Sequence, residues 1–481
     1  MARTGKEYTE GLRDGREVWL GDRRVDDVTL EPAFAGAIGS MAALYDAQHD
    51  ERYAADLTFT HSSGEVWPTS LLIPESVEDV RRRGRAFRVG AEHTHGLMGR
   101  SPDFMNSMLT PMRIASDFFG QREPAYQKNI ENYYDLVGSQ NLCLTHALLN
   151  PQVDRSKSVS EVADPGLALH VVRETDAGAV VSGARLLATL APFADEIVVA
   201  LHPGPPLRAD EEDYALAFAI PVATPGLRLV CREPLSHPGS DRHPLATRYD
   251  EMDAFVIFDE VLVPWDRMFL YRDVEATNTA HRATNTTTFA AHQTTTRATV
   301  KAELALAIAT LVADTIGVDG FLGVQEKLGE MVDLAQIMKS AVAGAEYNAK
   351  PNKWDESTFV PDADGLLAVR GLTPFFYPRM VEIIQQVSGS GLINVPAADS
   401  MSGPMKEVLD RFYQARSASG DRRLAVFSLA WDLAGDGFGS RQLQYERFYA
   451  GDPTRLRAGR YASLDKRALH ETIEHLLVRR G

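Results

Sequence analysis

A run of short segments with β-strand character interrupts an otherwise helical chain of 481 residues. Between residues 167 and 264, stretches rich in β-branched and aromatic residues recur at intervals of roughly 10–15 residues, and the turn at Thr175–Gly178 joins the first two as a hairpin. The stretches are Leu167–Glu174, Ala179–Thr189, Glu196–His202, Tyr214–Pro221, Gly226–Glu233 and Ala254–Val263. Because no helical segment separates them, the pattern predicts an antiparallel barrel or sandwich.

Helical periodicity marks both flanks of this β-rich region. From about residue 30 to 140, apolar residues recur at three- and four-residue spacing, as at Ile38, Met41 and Leu44. After Trp265 the same period returns in long apolar stripes, which suit a helical bundle and, through their excess of apolar faces, contacts between subunits. The order of the patterns is therefore helices, then β-strands, then a helical bundle.

These patterns divide the chain into three predicted domains. Pro378 is suited to begin a late helix, and Gly389 is suited to end it. We predict an α+β protein with an N-terminal helical domain at residues 1–140, a central β domain at residues 141–270, and a C-terminal helical bundle and tail at residues 271–481.

The charge balance argues against a nucleic-acid partner. The chain has 50 Lys and Arg against 66 Asp and Glu, which gives a formal net charge of −16 at pH 7. Binding to phosphates would therefore need a local basic stripe. The densest basic cluster, Arg81–Arg85, lies in a helical pattern beside Glu78 and Asp79, which predicts a solvated face of mixed charge. We expect no nucleic-acid partner.

Cysteine content and hydropathy predict the compartment. Cys143 and Cys231 are the only cysteines, too few for a disulfide framework or a cysteine-based metal cluster, and they fit a reducing cytoplasm. Residues 1–8 lack the apolar core of a signal peptide, and no uncharged apolar run reaches the length of about 18 residues that a membrane span needs. We expect a cytoplasmic protein without a membrane segment.

Common nucleotide and metal motifs are missing from the sequence. No G-x-G-x-x-G follows a predicted strand and no G-x-x-x-x-G-K-[ST] occurs, so neither a Rossmann nicotinamide site nor a P-loop is predicted. His470 and His475 are too far apart for the H-E-x-x-H zinc motif, which needs two histidines on one helix face. His93 and His95 suit a helix surface or a loop better than a chelate. We expect no metal site.

Two motifs carry the chemical information. In the first, Gly99–Asn106, an Arg stands in a turn with Pro102, which fixes one dihedral angle and removes a donor. In the second, Thr145–Arg155, His146 lies at the junction of the helical and β regions, where clefts commonly form. Taken alone, Arg100 suits a helix cap or salt bridge and His146 suits a hydrogen-bonded core position. Neither motif establishes catalysis by itself.

Together, and in this order, the two motifs resemble the oxygenase component of the 4-hydroxyphenylacetate 3-monooxygenase family. The resemblance extends over nearly the whole chain, because three further segments match: Met1–Tyr8, His243–Trp265 and Phe438–Phe448. It implies an acyl-CoA dehydrogenase-like fold with an N-terminal helical domain, a central antiparallel β-barrel and a C-terminal four-helix bundle. It also implies assembly as a homotetramer, a dimer of dimers.

The resemblance implies the chemistry as well. Such proteins are two-component flavin monooxygenases, which take reduced FAD from a separate NAD(P)H-dependent flavin reductase. They use oxygen, through a flavin hydroperoxide, to hydroxylate a para-substituted phenol ortho to its hydroxyl. A dry cavity keeps that intermediate from losing hydrogen peroxide. The missing Rossmann motif is then expected, since the reductase binds the nicotinamide.

Arg100 and His146 match the family positions that contact the substrate hydroxyl, so we expect both to be catalytic. Arg100 supplies a permanent positive charge that favours the phenolate, and His146 can donate a hydrogen bond or exchange a proton near neutral pH. The substrate-binding residues that the resemblance implies are Arg100, Ser101, Phe104, His146, His202 and Pro203.

The flavin site that the resemblance implies draws on the second motif, one residue of a β-strand and a late segment. Arg155 and Arg455 suit the pyrophosphate, because a guanidinium matches phosphate geometry. The implied flavin-binding residues are His146, Ala147, Leu148, Gln152, Val153, Asp154, Arg155, Thr189, Asp452, Pro453, Thr454 and Arg455.

Two departures from the family pattern concern the substrate. Phe104 stands where the family has a Tyr whose hydroxyl helps to bind the phenol, and the loss of such a bond in a dry pocket costs about 1–3 kcal/mol if its partner stays unpaired. Where the 4-hydroxyphenylacetate enzyme has two neighbouring hydroxyl residues near the substrate carboxylate, this chain has His202 and Pro203 in a proline-rich loop. We expect a different substrate or a compensating group, and a reshaped entrance.

Several alternatives stay open at this point. A halophenol or nitrophenol monooxygenase of the same superfamily would use the same flavin chemistry and expel a substituent, and a hydroxylase of a larger phenolic intermediate in secondary metabolism is a further possibility. The dehydratase of 4-hydroxybutyryl-CoA, which shares the fold, needs an iron–sulfur cluster held by three cysteines and a histidine. Only two cysteines occur, and Thr299 stands where a cysteine would follow His292. A scaffold without enzymatic activity would bind no flavin.

Overall fold

Helices dominate the N-terminal part of the computed structural model, which describes residues 2–200 and 206–477. The elements of this part are α1 (Gly5–Gly11), β1 (Glu17–Leu20), β2 (Arg23–Val25), α2 (Ala35–Ala47), α3 (Ala54–Leu57), β3 (Thr58–Thr60), β4 (Val66–Pro68), α4 (Val77–His93), α5 (Pro102–Ile114), α6 (Ser116–Gly120) and α7 (Pro124–Gln140). Ser76 caps α4, because its Oγ accepts the Asp79 backbone N–H at 3.1 Å. Asn141 ends α7 in the left-handed region, with φ +50°. Such caps satisfy backbone groups that a helix end leaves without partners.

Strands of the central part pair into two sheets. The elements are β5 (Leu144–Ala147), β6 (His170–Thr175), β7 (Gly178–Thr189), β8 (Glu196–Val199), β9 (Leu216–Pro221), β10 (Leu227–Cys231), α8 (Ala246–Tyr249), β11 (Asp253–Pro264) and β12 (Met268–Tyr271). One sheet has the order β2-β1-β10-β11-β7-β6 and the other has the order β12-β9-β8-β5. Neighbouring strands are antiparallel except for β1 with β10 and β5 with β8. β1 and β2 lie in the predicted N-terminal domain but extend a sheet of the central part. The predicted boundaries between the three domains therefore stay a proposal.

The β-rich pattern of the sequence predicts most of these strands. The turn after Thr175 joins β6 to β7 as the expected antiparallel hairpin. Along the first half of β11, buried residues alternate at Ala254, Val256 and Phe258, which turns one face of the strand toward the core. Among the described residues the central strands pair into two separate sheets rather than one closed ring. The barrel itself therefore stays a prediction.

Long helices form the C-terminal part. Its elements are α9 (Val274–Ala283), α10 (Thr286–Ile316), α11 (Leu322–Tyr347), β13 (Lys350–Pro351), β14 (Phe359–Val360), α12 (Ala363–Ser388), α13 (Lys406–Phe412), α14 (Gly420–Ala434), α15 (Gly437–Phe448), α16 (Pro453–Ala462) and α17 (Lys466–Ile473). The helices α10, α11, α12 and α14 pack together through buried side chains such as Ala305, Met338 and Ile384. None of the helices within the described ranges is long and apolar enough to cross a membrane. The predicted α+β class and its C-terminal four-helix bundle are confirmed.

One prediction is wrong in α12. Pro378 lies inside this helix, as does Pro374, so neither proline begins it. Both remove a backbone donor, but Met380 and Ile384 are buried and keep the apolar face of the helix in the core. Tertiary packing outweighs the local penalty here. Gly389 follows the last helical residue with φ +57°, as the sequence predicts.

The basic cluster on α4 also departs from its prediction at one position. Arg83 is buried, and its Nη1 donates to the carbonyl oxygens of Ser70 at 2.8 Å and Leu72 at 2.6 Å. Its guanidinium lies 5.4 and 5.3 Å from the ring centres of Phe87 and Phe289. The expected solvated face therefore loses one member to the core, where backbone carbonyls and aromatic rings receive it.

A buried ion cluster ties α10 to α15. The Glu446 side chain is 1% exposed, and its carboxylate accepts from Arg297 Nη1 at 2.8 Å and from Lys301 Nζ at 2.8 Å. Burial alone would raise the pKa of the Glu446 carboxyl, but Arg297 and Lys301 outweigh it and hold the pKa at about 2. The carboxylate is therefore fully charged at neutral pH and compensates two buried cations.

We predict that Glu446→Gln lowers the free energy of unfolding by about 3–5 kcal/mol, because it leaves those cations without an anion. Urea unfolding followed by circular dichroism measures the change. Glu303→Gln is the matched control, since the Glu303 carboxylate is 30% exposed, contacts Arg88 and Lys339, and should contribute only about 1 kcal/mol or less. Equal effects of the two substitutions would contradict this account of the cluster.

Candidate active site

Two elements bring the expected catalytic pair into contact. The strand β5 holds His146 in the four-stranded sheet, and the turn before α5 holds Arg100 beside it. Pro102 begins α5, where its missing N–H would have no helical partner. Arg100 Nε donates to His146 Nε2 at 2.8 Å, and the two residues are 5% and 8% exposed. Residues from two separate motifs thus form one buried contact.

This contact determines the tautomer of the neutral His146 imidazole. A guanidinium only donates hydrogen bonds, so His146 Nε2 is the acceptor and the ring hydrogen of the neutral imidazole lies on Nδ1. The Phe104 ring centre lies 5.6 Å from the His146 ring centre and 4.0 Å from Arg100 Cζ. Phe104 therefore gives Arg100 an aromatic face in place of a hydroxyl.

Ser101 lies in the turn between Arg100 and α5. Its hydroxyl donates to Asp103 Oδ1 at 2.6 Å, and Gln293 Nε2 donates to Asp103 Oδ2 at 3.0 Å. Burial raises the pKa of the Asp103 carboxyl. The Ser101 oxygen keeps capacity to accept a further hydrogen bond, so its expected place beside the substrate is chemically suitable.

Tyr445 and Glu251 hold Arg100 from two further elements. Arg100 Nη1 donates to the hydroxyl oxygen of Tyr445 on α15, and the Arg100 backbone N–H donates to Glu251 Oε2 at 3.0 Å. Burial raises the pKa of the Tyr445 hydroxyl, which is neutral at physiological pH. A Cβ added at Gly99 would lie 2.0 Å from the Tyr445 hydroxyl oxygen, so this close approach requires glycine.

A charged network connects Arg100 to Thr189. Arg441 Nη1 donates to Glu251 Oε1 at 2.7 Å, and Arg441 Nη2 donates to Asp253 Oδ1 at 2.7 Å. The Thr189 hydroxyl donates to the same Asp253 oxygen at 2.6 Å. Burial alone would raise the pKa of Asp253, but Arg441 outweighs it and holds the pKa well below its usual range. Thr189 is thus joined to the Arg100 backbone through the side chains of Asp253, Arg441 and Glu251.

An apolar cavity lies beside His146. Side chains of α5, β5, β12 and α9 line it. Met105, Met108 and Phe269 contribute apolar walls, and His281 contributes a polar group. None of the described residues that line it carries a permanent charge. A cavity of this kind receives an aromatic ring and keeps water away from the His146 side chain.

The chain after β5 passes from the core to the surface. The buried residues are Ala147 and Leu148; Asp154 is half-buried; and Gln152, Val153 and Arg155 are exposed. This course suits an elongated cofactor with one end buried near His146 and the other at the surface. The structure brings Thr189 near the same end, because the Thr145 hydroxyl, next to His146, donates to the Thr189 carbonyl oxygen at 2.5 Å.

Arg185 is a buried cation next to this segment. Its Nη1 donates to the side-chain oxygen of Asn150, whereas its Nε and Nη2 have no hydrogen-bond partner among the described residues. Burial lowers the pKa of Arg185 to about 9, which still leaves the guanidinium charged at neutral pH. An unpaired buried cation is costly and fits a cofactor rich in acceptors and negative charge, such as FAD. The residues present therefore fit the expected flavin.

The structure does not test the expected roles of the late segment and the entrance loop. In Asp452–Arg455, Asp452 caps α16 by accepting the Thr454 backbone N–H at 2.7 Å. The described hydrogen bonds of this segment are local, so its place in a flavin site stays a prediction. His202 and Pro203 lie outside the described residues.

Family models match the chain over almost its full length. The model described as 4-hydroxyphenylacetate 3-hydroxylase N terminal matches residues 4–270, and the model described as 4-hydroxyphenylacetate 3-hydroxylase C terminal matches residues 277–477. This chain belongs to the 4-hydroxyphenylacetate 3-hydroxylase family. The family suggested by the two sequence motifs is therefore confirmed.

Individual relatives agree with the family assignment. The 4-hydroxyphenylacetate 3-monooxygenase oxygenase component of Thermus thermophilus is 42% identical over 99% of this chain and 98% of its own. The oxygenase component of a Rhodococcus 4-nitrophenol 2-monooxygenase is 35% identical over 94% of this chain and 87% of its own. A crystal structure of a 4-hydroxyphenylacetate 3-monooxygenase oxygenase component with FAD and 4-hydroxyphenylacetate has a TM-score of 0.95 at 42% identity, covering 99% of this chain and 98% of that one. The fold expected of the family is confirmed.

Several residues around the expected site could not be predicted from the sequence. Glu251, Arg441 and Tyr445 lie in segments that resemble the family, but no role could be read for them, and Arg185 was not singled out. The sequence does contain one indication that two of them act together: Arg441 and Tyr445 are one helical turn apart on α15 and so share a face. Their partners on distant elements could not be read from spacing.

We predict that Tyr445→Phe lowers the rate of the family's hydroxylation reaction about 10- to 100-fold. The substitution removes a hydrogen bond to a buried charged group, which is worth about 1.5–3 kcal/mol. Product formation in a single turnover with reduced FAD measures the effect. Tyr461→Phe on the exposed face of α16 is the control and should keep the wild-type rate. A wild-type rate in Tyr445→Phe would show that Arg100 does not need this partner.

Proposed function

We propose that this chain is the oxygenase component of a two-component flavin monooxygenase that hydroxylates a para-substituted phenol ortho to its hydroxyl. One observation carries the proposal: His146, which accepts a buried hydrogen bond from Arg100, lines an apolar cavity. The cavity suits the aromatic ring, and the cation–imidazole pair suits the phenolic oxygen. Membership of the 4-hydroxyphenylacetate 3-hydroxylase family supports the same reaction.

Reduced FAD and oxygen are the co-substrates in this proposal. Bound FAD supplies the electrons that activate oxygen. The flavin site consists of the segment from His146 to Arg155, Thr189 and the segment Asp452–Arg455, with Arg185 as an additional buried cation. The FAD that is present in the crystal structure of the relative supports this choice of cofactor.

Arg100 and His146 control the ionisation of the phenol. The permanent charge of Arg100 favours the phenolate, whose ortho carbon is the more electron-rich, and acts strongly because the site is buried. His146 lines the cavity and so lies where the phenolic oxygen is expected. Phe104 packs against both side chains and excludes water from them.

The substituent para to the phenolic hydroxyl is less well determined than the reaction. A 4-hydroxyphenylacetate-like acid is the first candidate, because the relative from Thermus thermophilus is named for that compound. A nitrophenol or halophenol is the second, and it is favoured by the absence of permanent charge among the described residues that line the cavity. The name of the Rhodococcus relative supports it. A larger phenolic intermediate of secondary metabolism is a third possibility within the same chemistry.

The partners in this proposal are a separate NAD(P)H-dependent flavin reductase and further copies of the chain. The missing Rossmann motif supports a separate reductase. Large apolar side chains exposed on the C-terminal helices, among them Leu322, Tyr347 and Leu469, support a homotetramer built as a dimer of dimers. The buried free thiols of Cys143 and Cys231 suit a reducing cytoplasm.

We predict that His146→Ala keeps the oxidation of reduced FAD but diverts it from hydroxylation to release of hydrogen peroxide. The assay supplies a generic flavin reductase, FAD and oxygen, and measures product and peroxide together with 4-hydroxyphenylacetate, 4-nitrophenol and a chlorophenol. His170→Ala is the matched control, because His170 is a half-buried histidine of β6 that contacts a backbone carbonyl. An unchanged yield of hydroxylated product in His146→Ala would contradict the proposed catalytic role of His146.

We predict that Phe104→Tyr raises activity on 4-hydroxyphenylacetate by roughly fivefold. The new hydroxyl restores a hydrogen bond that is worth about 1 kcal/mol. Steady-state kcat/KM with 4-hydroxyphenylacetate measures the gain, and Phe412→Tyr at an exposed position is the control. Lower activity on every phenol tested would mean that the pocket is built around Phe104 and serves a different substituent.

A further inference from the structure

Two histidines and two aspartates meet away from the catalytic pair. They lie where the loop between β10 and α8 contacts α14 and the start of α15. His243 Nδ1 is 2.6 Å from Asp436 Oδ2, and His237 Nε2 is 4.0 Å from the same oxygen. The two imidazole rings stack with their centres 3.8 Å apart. One nitrogen of each histidine and one oxygen of Asp436 all lie within 4.8 Å of one another.

Each carboxylate uses one oxygen to hold backbone and turns the other toward the histidines. Asp432 Oδ2 accepts the backbone N–H of Leu245 at 2.6 Å, while its Oδ1 lies 3.8 Å from His243 Nδ1. Asp436 Oδ1 accepts the backbone N–H of Gly437 at 2.6 Å and so caps α15, while its Oδ2 faces the imidazoles. Ligating carboxylates in metal sites are commonly fixed by such hydrogen bonds.

Asp432 gives independent evidence of a ligand. Its side chain is 0% exposed, yet Oδ1 has no hydrogen-bond partner among the described residues. A buried carboxylate oxygen without a partner is costly. This oxygen points into a cluster that already contains a second carboxylate, so a cation is what the arrangement lacks chemically.

We infer that His237, His243, Asp432 and Asp436 bind one divalent transition-metal ion, and that zinc suits them best. Two imidazole nitrogens and two carboxylate oxygens provide the four ligands of a tetrahedral site. The two carboxylate charges balance the charge of the ion. The sequence does not predict this metal site, because the ligands form two short-range pairs on distant parts of the chain, which only the fold brings together.

The ion has a structural role, because none of its four ligands lines the apolar cavity. It fastens the loop before α8 to α14 and to the N-cap residue of α15. That helix carries Arg441, which contacts Glu251, and Tyr445, which contacts Arg100. The metal site therefore supports the backbone behind the catalytic pair without touching substrate.

The test uses the full chain after removal of metal with a chelator, without flavin or substrate, so its outcome is independent of the proposed function. Zn²⁺ is titrated against a chromophoric chelator, and Co²⁺ is followed by its visible absorption. We expect one ion per chain. Asp436→Asn should weaken binding about 10- to 100-fold, although Asn caps a helix as well as Asp does and the variant should fold.

His237→Ala is the second variant, because the His237 side chain is 47% exposed and its removal should leave folding intact. It should also weaken binding of both ions, and Zn²⁺ should raise the unfolding temperature of the wild type more than that of either variant. His49→Ala, at an exposed histidine elsewhere, is the control and should bind as the wild type does. No stoichiometric uptake of Zn²⁺ or Co²⁺, or uptake unchanged in both Asp436→Asn and His237→Ala, overturns the inference.

Discussion

Arg100 is the side chain on which the rest of the site depends. Its guanidinium contacts His146 on β5 and Tyr445 on α15, and its backbone N–H contacts Glu251 before β11. Three parts of the fold that are distant in sequence therefore converge on one residue. Because a buried guanidinium must have its donors satisfied, any displacement of these elements has a direct cost at the reactive centre.

The electrostatics of the site follow from that arrangement. The guanidinium donates to the adjacent imidazole, and the apolar cavity next to His146 strengthens the field of the Arg100 charge on a bound phenol. On the opposite side of the network, Thr189 is linked to Asp253 and Arg441. The elements that are expected to hold substrate and flavin thus share one set of charged residues, which favours a fixed relative position of the two reactants.

Much of this could be predicted from local sequence. The β-rich stretches, the helical flanks and the two motifs with Arg100 and His146 all rest on short-range patterns. The structure contains most of the predicted strands and the helical flanks, and it brings Arg100 and His146 into contact. The failures involve tertiary packing. Pro378 lies inside a helix because that helix is buried, and Tyr445 reaches Arg100 across 345 positions of sequence. Spacing along one chain carries no information about such partners, and the same holds for the histidine–aspartate cluster.

The central claim is that this chain itself uses reduced flavin and oxygen to hydroxylate a phenol. The most direct measurement is a single turnover with chemically reduced FAD, ¹⁸O₂ and 4-hydroxyphenylacetate or 4-nitrophenol, without any reductase, analysed by mass spectrometry. We expect a product that carries one ¹⁸O atom, from ¹⁸O₂, at the carbon ortho to the original hydroxyl. Complete conversion of oxygen to hydrogen peroxide with every phenol, or a product without ¹⁸O, would contradict it.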